Sequence, residues 1–281
     1  PMLSAPDQKH VQKVLETLDF LVVQDIFLTE TAQLADVVLP AASFAEKDGC
    51  FTNTERRVQR VRKAIEPVGQ ARADWEILSA VMNRLGCEQS YGSASEIQDE
   101  IAALTPAYGG ISYARLEKQS LQWPCPSEDH PGTRFLHRDQ CARGLGLFKP
   151  WEFQPSAELP CDDYPLILTT GRILYHYHTK TMTGKVDGLN KLFPGSFVEI
   201  HPATAQQLGI EDGEKIAVAT RRGQIEARAV LTDKLKENVI FMPFHFADGP
   251  ANALTNPALD PIAKIPELKS CAARVAKLPT A

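Results

Sequence analysis

The sequence predicts an α/β region followed by a β-rich barrel, and three observations carry that prediction. Between Phe20 and Leu39 a strand, a short helix and a second strand follow one another, the rhythm of a doubly wound parallel sheet. From Tyr164 to Met242 short strands and one small helix are packed between tight turns, as in a closed barrel. Between these stretches, from Thr105 to Glu158, periodicity fails and prolines and glycines cluster. The expected division is residues 1–105 as a partial α/β domain, 106–160 as an irregular connector and 161–281 as the barrel.

The elements follow in order. Val11, Val14, Leu15 and Leu18 share one helical stripe, with Asp7 placed to cap it. Phe20 to Val23 is a continuous apolar run with β-branched residues, which reads as a strand buried on both faces and therefore parallel. Thr29 to Leu34 reads as a short helix, and Asp36 to Leu39 as a strand ended by Pro40. Asp74 caps a helix from Trp75 to Leu85, with Ile77, Leu78, Val81, Met82 and Leu85 on one face and Gly86 as its stop. Ser95-Glu96-Ile97-Gln98 has the capping-box form and opens a helix to about Leu104. In the connector, Trp123-Pro124-Cys125-Pro126 and His130-Pro131-Gly132 are turns. The expected barrel strands are Leu166–Leu168, Phe197–Ile200, Lys215–Ala219, Gln224–Leu231 and Val239–Met242. Asp212-Gly213 and Arg222-Gly223 are tight turns, and Pro202–Leu208 is a short helix closed by Gly209.

Composition sets bounds. The 281 residues, 43% hydrophobic and 23% charged, fit a soluble globular chain of one large or two ordinary domains. Apolar runs fall short of a membrane span, and no secretory leader is visible, although a chain lacking its start could have lost one. A net charge of −5 argues against nucleic acid as a partner. The six cysteines contain no C-x-x-C, which argues against a cluster or zinc site built from this chain alone. Their scatter suits free thiols in a reducing compartment, so the expected location is cytoplasmic. Arg56, Arg57, Arg60, Arg62 and Lys63 form the one basic cluster, read as a solvated face rather than a site.

The chemistry concentrates in residues 169–184, TTGRILYHYHTKTMTG. A strand ends in Thr169, Thr170 and Gly171, which let a ligand approach the backbone. Arg172, His176, His178, Thr179, Lys180 and Thr181 then crowd donors and positive charge together. A phosphate-rich or pterin-like ligand asks for such a set: exposed amides, a planar guanidinium fork and hydroxyls. The competing reading is a polar loop after a strand.

Other segments join it: QDIFLTETA at 24–32, VLP at 38–40, EKDG at 46–49, TNTERR at 52–57, GRILYHYHT at 171–179, ANALT at 251–255 and PELK at 266–269. In this order they resemble the C-terminal half of the catalytic (alpha) subunit of formate dehydrogenases, within the molybdenum/tungsten oxidoreductases that bind molybdopterin guanine dinucleotide. The resemblance runs over nearly the whole chain and is weakest between about 87 and 150. It implies a double-psi β-barrel as the C-terminal, dinucleotide-binding domain, and part of a cofactor-binding doubly wound α/β domain before it. It implies molybdopterin guanine dinucleotide with molybdenum or tungsten, shared with an N-terminal half, and an iron–sulfur cluster confined to that half. The chain opens on Pro1 and is expected to be part of an enzyme: a cloned domain, a proteolytic product or a separate subunit. Its expected partners are that N-terminal half and electron-transfer subunits.

Asp25 is the candidate for guanine, because a carboxylate can accept from the ring N–H and the exocyclic amine; the alternative is a strand-end Asp capping the helix at Thr29. Thr29 lies at the same strand end, and Asp74 could serve like Asp25 or simply cap its helix. Gly171 and Arg172 are assigned to cofactor phosphate or pterin, His176 to a neutral hydrogen-bonding role there, and His178 to solvent or supporting contact. The family often has a small polar residue where His178 stands. By resemblance Asn252 is an amide partner of the pterin and Lys269 a contact near its reactive end; without it they would read as a turn residue and a surface lysine. His245, between Phe244 and Phe246, reads as a buried, satisfied histidine. No catalytic residue or metal ligand is assigned. The expected function is the cofactor-binding portion of a formate dehydrogenase. The alternatives are the same portion of another molybdopterin oxidoreductase, such as a nitrate reductase, and a non-catalytic assembly module.

Overall fold

The computed structural model describes residues 1–141 and 143–279. The chain opens with helix α1 (Gln8–Glu16). Two compact units follow from the packing. One comprises 1–21, 28–36 and 152–281, and the other 22–27 and 37–151. This division differs from the expected cuts near 105 and 160. Residues beyond 105 pack into the second unit because they carry apolar groups: Ile111, Leu116, Leu121 and Cys125 are buried in one cluster with Val58. That stretch also holds short elements where none was expected.

In the second unit β1 (Val22–Asp25) and β2 (Val37–Pro40) pair in parallel, Val22 opposite Val37 and Asp25 opposite Pro40. The parallel pairing is as expected, but the expected burial on both faces is not found. Val22 is 45% exposed and Phe20, just before it, 64%. Strands β3 (Gly49–Thr52) and β4 (Arg57–Val61) form an antiparallel hairpin. Helix α2 (Asp74–Arg84) buries Ile77 and leaves Leu78, Val81 and Met82 exposed. Helix α3 (Ala94–Leu104) is capped by Ser93, whose Oγ accepts from the Glu96 amide, two residues before the expected cap. A short α4 (Tyr113–Leu116) leads to β5 (Leu121–Gln122), which joins the free edge of β4. Arg56 fastens this region. Its guanidinium reaches the carbonyls of Trp123, Thr133 and Arg134.

The first unit contains the barrel. Its strands are β6 (Leu166–Gly171), then, after helix α5 (Asp187–Leu192), β7 (Phe197–Ile200). Helix α6 (Pro202–Leu208) follows, then β8 (Lys215–Thr220), β9 (Gly223–Leu231), β10 (Val239–Pro243) and β11 (Cys271–Lys277). They close in the order β10-β6-β11-β8-β9-β7. Alternating residues fill the interior: Leu166 and Leu168, Val198 and Ile200, Ile216 and Val218, Ala227 and Ala229, Ile240 and Met242. Helix α6 begins on Pro202 and stops at Gly209, whose φ of 67° is the left-handed C-cap that favours glycine. Asp7 takes a left-handed conformation and makes no side-chain cap for α1, contrary to expectation.

Ile240 is wholly buried between β6 and β7. Ile240→Ala is expected to cost the barrel about 2–5 kcal/mol. Leu147→Ala, at a site 66% exposed, is expected to cost under about 0.5 kcal/mol. Denaturant midpoints of the two variants check this, and equal shifts would contradict the assigned core.

Candidate cofactor-binding site

Strand β6 ends where the sequence placed the ligand turn. Gly171 is buried, and a Cβ there would lie 2.6 Å from the Phe241 ring, so no larger residue fits without displacement. Two tethers hold this end to the loop before β11. The Thr170 hydroxyl donates to the Leu268 carbonyl at 2.7 Å, and the Lys269 ammonium donates to the Thr170 carbonyl. Lys269, expected as a contact near the reactive end of the pterin, thus bonds the backbone at the end of β6.

Arg172 leaves the barrel rim exposed. Its guanidinium lies over the Phe244 ring at 5.0 Å and has no carboxylate partner among the described residues. His176 is buried, with both ring nitrogens engaged inside the chain. Nδ1 meets the Thr183 hydroxyl at 3.1 Å and Nε2 the Phe193 carbonyl at 3.0 Å. The carbonyl can only accept, so Nε2 carries the proton and Nδ1 accepts from Thr183, whose oxygen in turn accepts the Tyr177 amide. Its contacts therefore shape the loop, where the sequence had assigned it to a ligand. His178 is exposed and edge-on to Phe244, with φ at 46°.

Asn252 is 2% exposed. Its amide nitrogen donates to the Leu3 carbonyl at 2.8 Å, while its Oδ1 is buried without a partner. Such an acceptor costs about 1–3 kcal/mol unless something donates to it. Thr29, in the same unit, accepts the Ala32 amide on its hydroxyl at 3.3 Å.

The remaining candidates lie in the second unit. Asp25 ends β1, and its Oδ1 accepts the Phe27 amide at 3.0 Å, a local turn rather than the cap at Thr29 that was the alternative reading. Asp74 is the first residue of α2, and its side chain makes no cap. One oxygen accepts from the Gln24 amide at 2.7 Å and the other pairs with the Lys47 ammonium. Burial pushes this carboxyl up, but Lys47 and Gln24 outweigh it, so its pKa lies below the usual value. Asp74, Lys47, Gln98 and Tyr113 line a cavity of about 240 Å³. Lys47 and Gln24 were not singled out from sequence. Gln24 adjoins Asp25 and Lys47 lies in the EKDG string, but nothing local shows that they converge on Asp74.

The chain matches two families in succession, Molybdopterin oxidoreductase over residues 1–84 and Molydopterin dinucleotide binding domain over residues 166–272. It is 52% identical, over 99% of its length, to the F420-dependent formate dehydrogenase subunit alpha of Methanocaldococcus jannaschii, of which it covers 42%. It is 49% identical to an F420-dependent formate dehydrogenase 1 subunit alpha of Methanococcus maripaludis, with the same shares covered. The assimilatory nitrate reductase catalytic subunit of Bacillus subtilis is 41% identical over 98% of the chain, which covers 40% of it. The chain thus spans about two fifths of the length of the curated relatives it matches. Acetylene hydratase from Pelobacter acetylenicus superposes with a TM-score of 0.74 at 21% identity, over 98% of this chain and 42% of that one, a likeness of fold. The chain belongs to the molybdopterin oxidoreductases.

Proposed function

We propose that this chain is the cofactor-holding C-terminal portion of a formate dehydrogenase alpha subunit, oxidising formate to carbon dioxide. The observation that carries the cofactor role is the rim of β6. There a glycine packed against the Phe241 ring is followed by an arginine without an anionic partner among the described residues, and the same unit holds the buried Asn252 Oδ1, which has no donor among them. These groups fit a pterin dinucleotide: amides and a guanidinium fork for phosphate, and an amide acceptor for a ring N–H. The substrate follows from the formate dehydrogenase relatives, which are more similar than the nitrate reductase.

Arg172 and the backbone at Gly171 would hold phosphate or pterin, Asn252 would accept from the pterin through Oδ1, and Lys269 would approach its reactive end. His176 would hold the loop, with His178 at its surface. Asp25, or Asp74 in its Lys47-paired form, would accept from guanine, and Thr29 is kept as a cofactor contact. When bound, the molybdenum or tungsten centre supplies the two-electron chemistry. This chain contributes binding, orientation and exclusion of water; no residue of it is assigned contact with formate. We further assign the barrel to the double-psi type and β1–β2 to a doubly wound sheet. The iron–sulfur cluster is assigned to the rest of the subunit. The partners would be that N-terminal half and electron-transfer subunits. No helix of the described residues is long and apolar enough to cross a membrane, and we place the enzyme in the cytoplasm.

Formate and nitrate turnover by the intact protein separate the two enzyme readings, and its metal and pterin content separates both from an assembly module. The intact protein is expected to reduce dye with formate, whereas the 281-residue chain alone is expected to show none. Turnover of nitrate but not formate would sink the substrate assignment. Arg172→Lys keeps the charge and loses the fork, so pterin retention should weaken roughly ten- to a hundred-fold. The thermal midpoint of the cofactor-free chain should hardly move, because an exposed rim arginine contributes little to the core. Unfolding of the variant with pterin occupancy unchanged in the surviving enzyme would make Arg172 a structural residue.

A further inference from the structure

The loop that carries Arg172 closes on one buried imidazole. His245 follows β10 between Phe244 and Phe246 and has no exposed surface. Its Nε2 meets the backbone N–H of Ile173, the residue after Arg172, at 2.9 Å. Its Nδ1 meets the backbone carbonyl of His178. A single ring therefore binds the backbone at both ends of residues 173–178. Register explains the reach. Gly171 pairs with Pro243, and the ladder continues with the Phe244 amide donating to the Gly171 carbonyl at 3.1 Å, so Ile173 and His245 leave the barrel level with each other.

Those partners fix the protonation state. A backbone amide can only donate, so Nε2 must be bare; a carbonyl can only accept, so Nδ1 must carry the proton. Of the three forms of imidazole, only the neutral Nδ1–H tautomer makes both bonds. The imidazolium would set an N–H against the N–H of Ile173. The loop needs such a tether, because His178 and Lys180 both hold left-handed conformations, at φ 46° and 63°. Each is unfavourable for a residue with a Cβ.

We propose that His245 is a positioning residue: its neutral Nδ1–H form holds residues 173–178 in the shape that presents Arg172, and its protonation releases them. This rests on the reading of Arg172 as a cofactor contact. Burial depresses the affinity of His245 for a proton, and the His178 carbonyl opposes that. His176, Arg172 and the His178 ring add positive or potentially positive neighbours that depress it further. Lys180 sits over the adjacent Phe246 ring at 4.9 Å. The sign follows. An unfolded imidazole takes its proton near about 6.5 and the folded one at lower pH. The stabilisation is complete above about 6.5 and is lost as pH falls through the folded value.

The test uses the intact, cofactor-loaded protein with His245→Leu and His245→Gln. Hydrogen-exchange protection of residues 172–178 is followed from pH 8 to 5, corrected for intrinsic rates, with β8 as the internal reference. Pterin retained after dialysis is measured in parallel. His245→Leu should lower protection of 172–178 at least tenfold at pH 7.5 and leave β8 unchanged. His245→Gln, whose amide can both donate and accept, should recover part of it without pH dependence. The wild type should approach the Leu variant as pH falls, with pterin release rising in step. Equal protection in wild type and His245→Leu overturns the proposal. Should the Leu variant fail to fold, flat wild-type protection of 172–178 from pH 8 to 5 overturns it as well. Loss of loop protection with unchanged pterin retention upholds His245 as the tether and overturns the cofactor role of Arg172.

Discussion

Strand β6 is hydrogen-bonded on both edges, parallel to β10 and antiparallel to β11, and the candidate barrel site depends on that double pairing. A strand held on both sides ends at a fixed point, so the residues after it start from a defined position and direction. Gly171 is that end, and a side chain there would have to displace the Phe241 ring. The pairing with β10 delivers Phe244 and His245 beside Arg172 and Ile173. The approach of β11 delivers Lys269 to the Thr170 carbonyl. The rim is thus built by register, with each polar group placed by a strand whose own stability comes from the apolar interior.

Charge then divides the groups into satisfied and unsatisfied. Asp74 has a lysine and a glutamine, and His176 and His245 have two backbone or hydroxyl partners between their nitrogens. Arg172 and the Oδ1 of Asn252 have no such bond among the described residues. An unmet buried acceptor is unfavourable in the free chain and becomes favourable only when a donor arrives. The satisfied histidines shape the loop, whereas Arg172 and the Asn252 Oδ1 keep hydrogen-bonding capacity unused among the described residues.

Much of the barrel was legible because its strands alternate or run apolar between Gly-containing turns. Five of the six were expected, and the helix from Pro202 to Leu208 was found with its Gly209 stop. The sixth, β11, reads Cys-Ala-Ala-Arg-Val-Ala-Lys, short of the branched and aromatic residues that announce a strand. Its conformation is imposed by β6 and β8 on either side. The cap at Ser93 was displaced by two residues because the serines at 93 and 95 both precede acceptable helix starts, and Glu96 selects the first by bonding back to the Gly92 amide.

The site was legible to the extent that its chemistry is local. Gly171 and Arg172 were visible as a small-residue turn followed by a fork, because turn and fork adjoin in sequence. His245 was visible only as a buried, satisfied histidine. Which groups satisfy it depends on the pairing of two strands some seventy residues apart, and local pattern does not encode that register. The same limit applies to Asp74, where helix-start grammar suggested a cap and long-range packing instead supplied Lys47 and Gln24. A carboxylate already paired with an ammonium is a weaker acceptor for a nucleotide base than a free one, since the lysine competes for the same oxygen lone pairs. Asp25 spends one oxygen on a weakly competing local amide and keeps the geometry of a strand end. Between the two, Asp25 keeps the freer carboxylate, whereas both oxygens of Asp74 are held by Gln24 and Lys47.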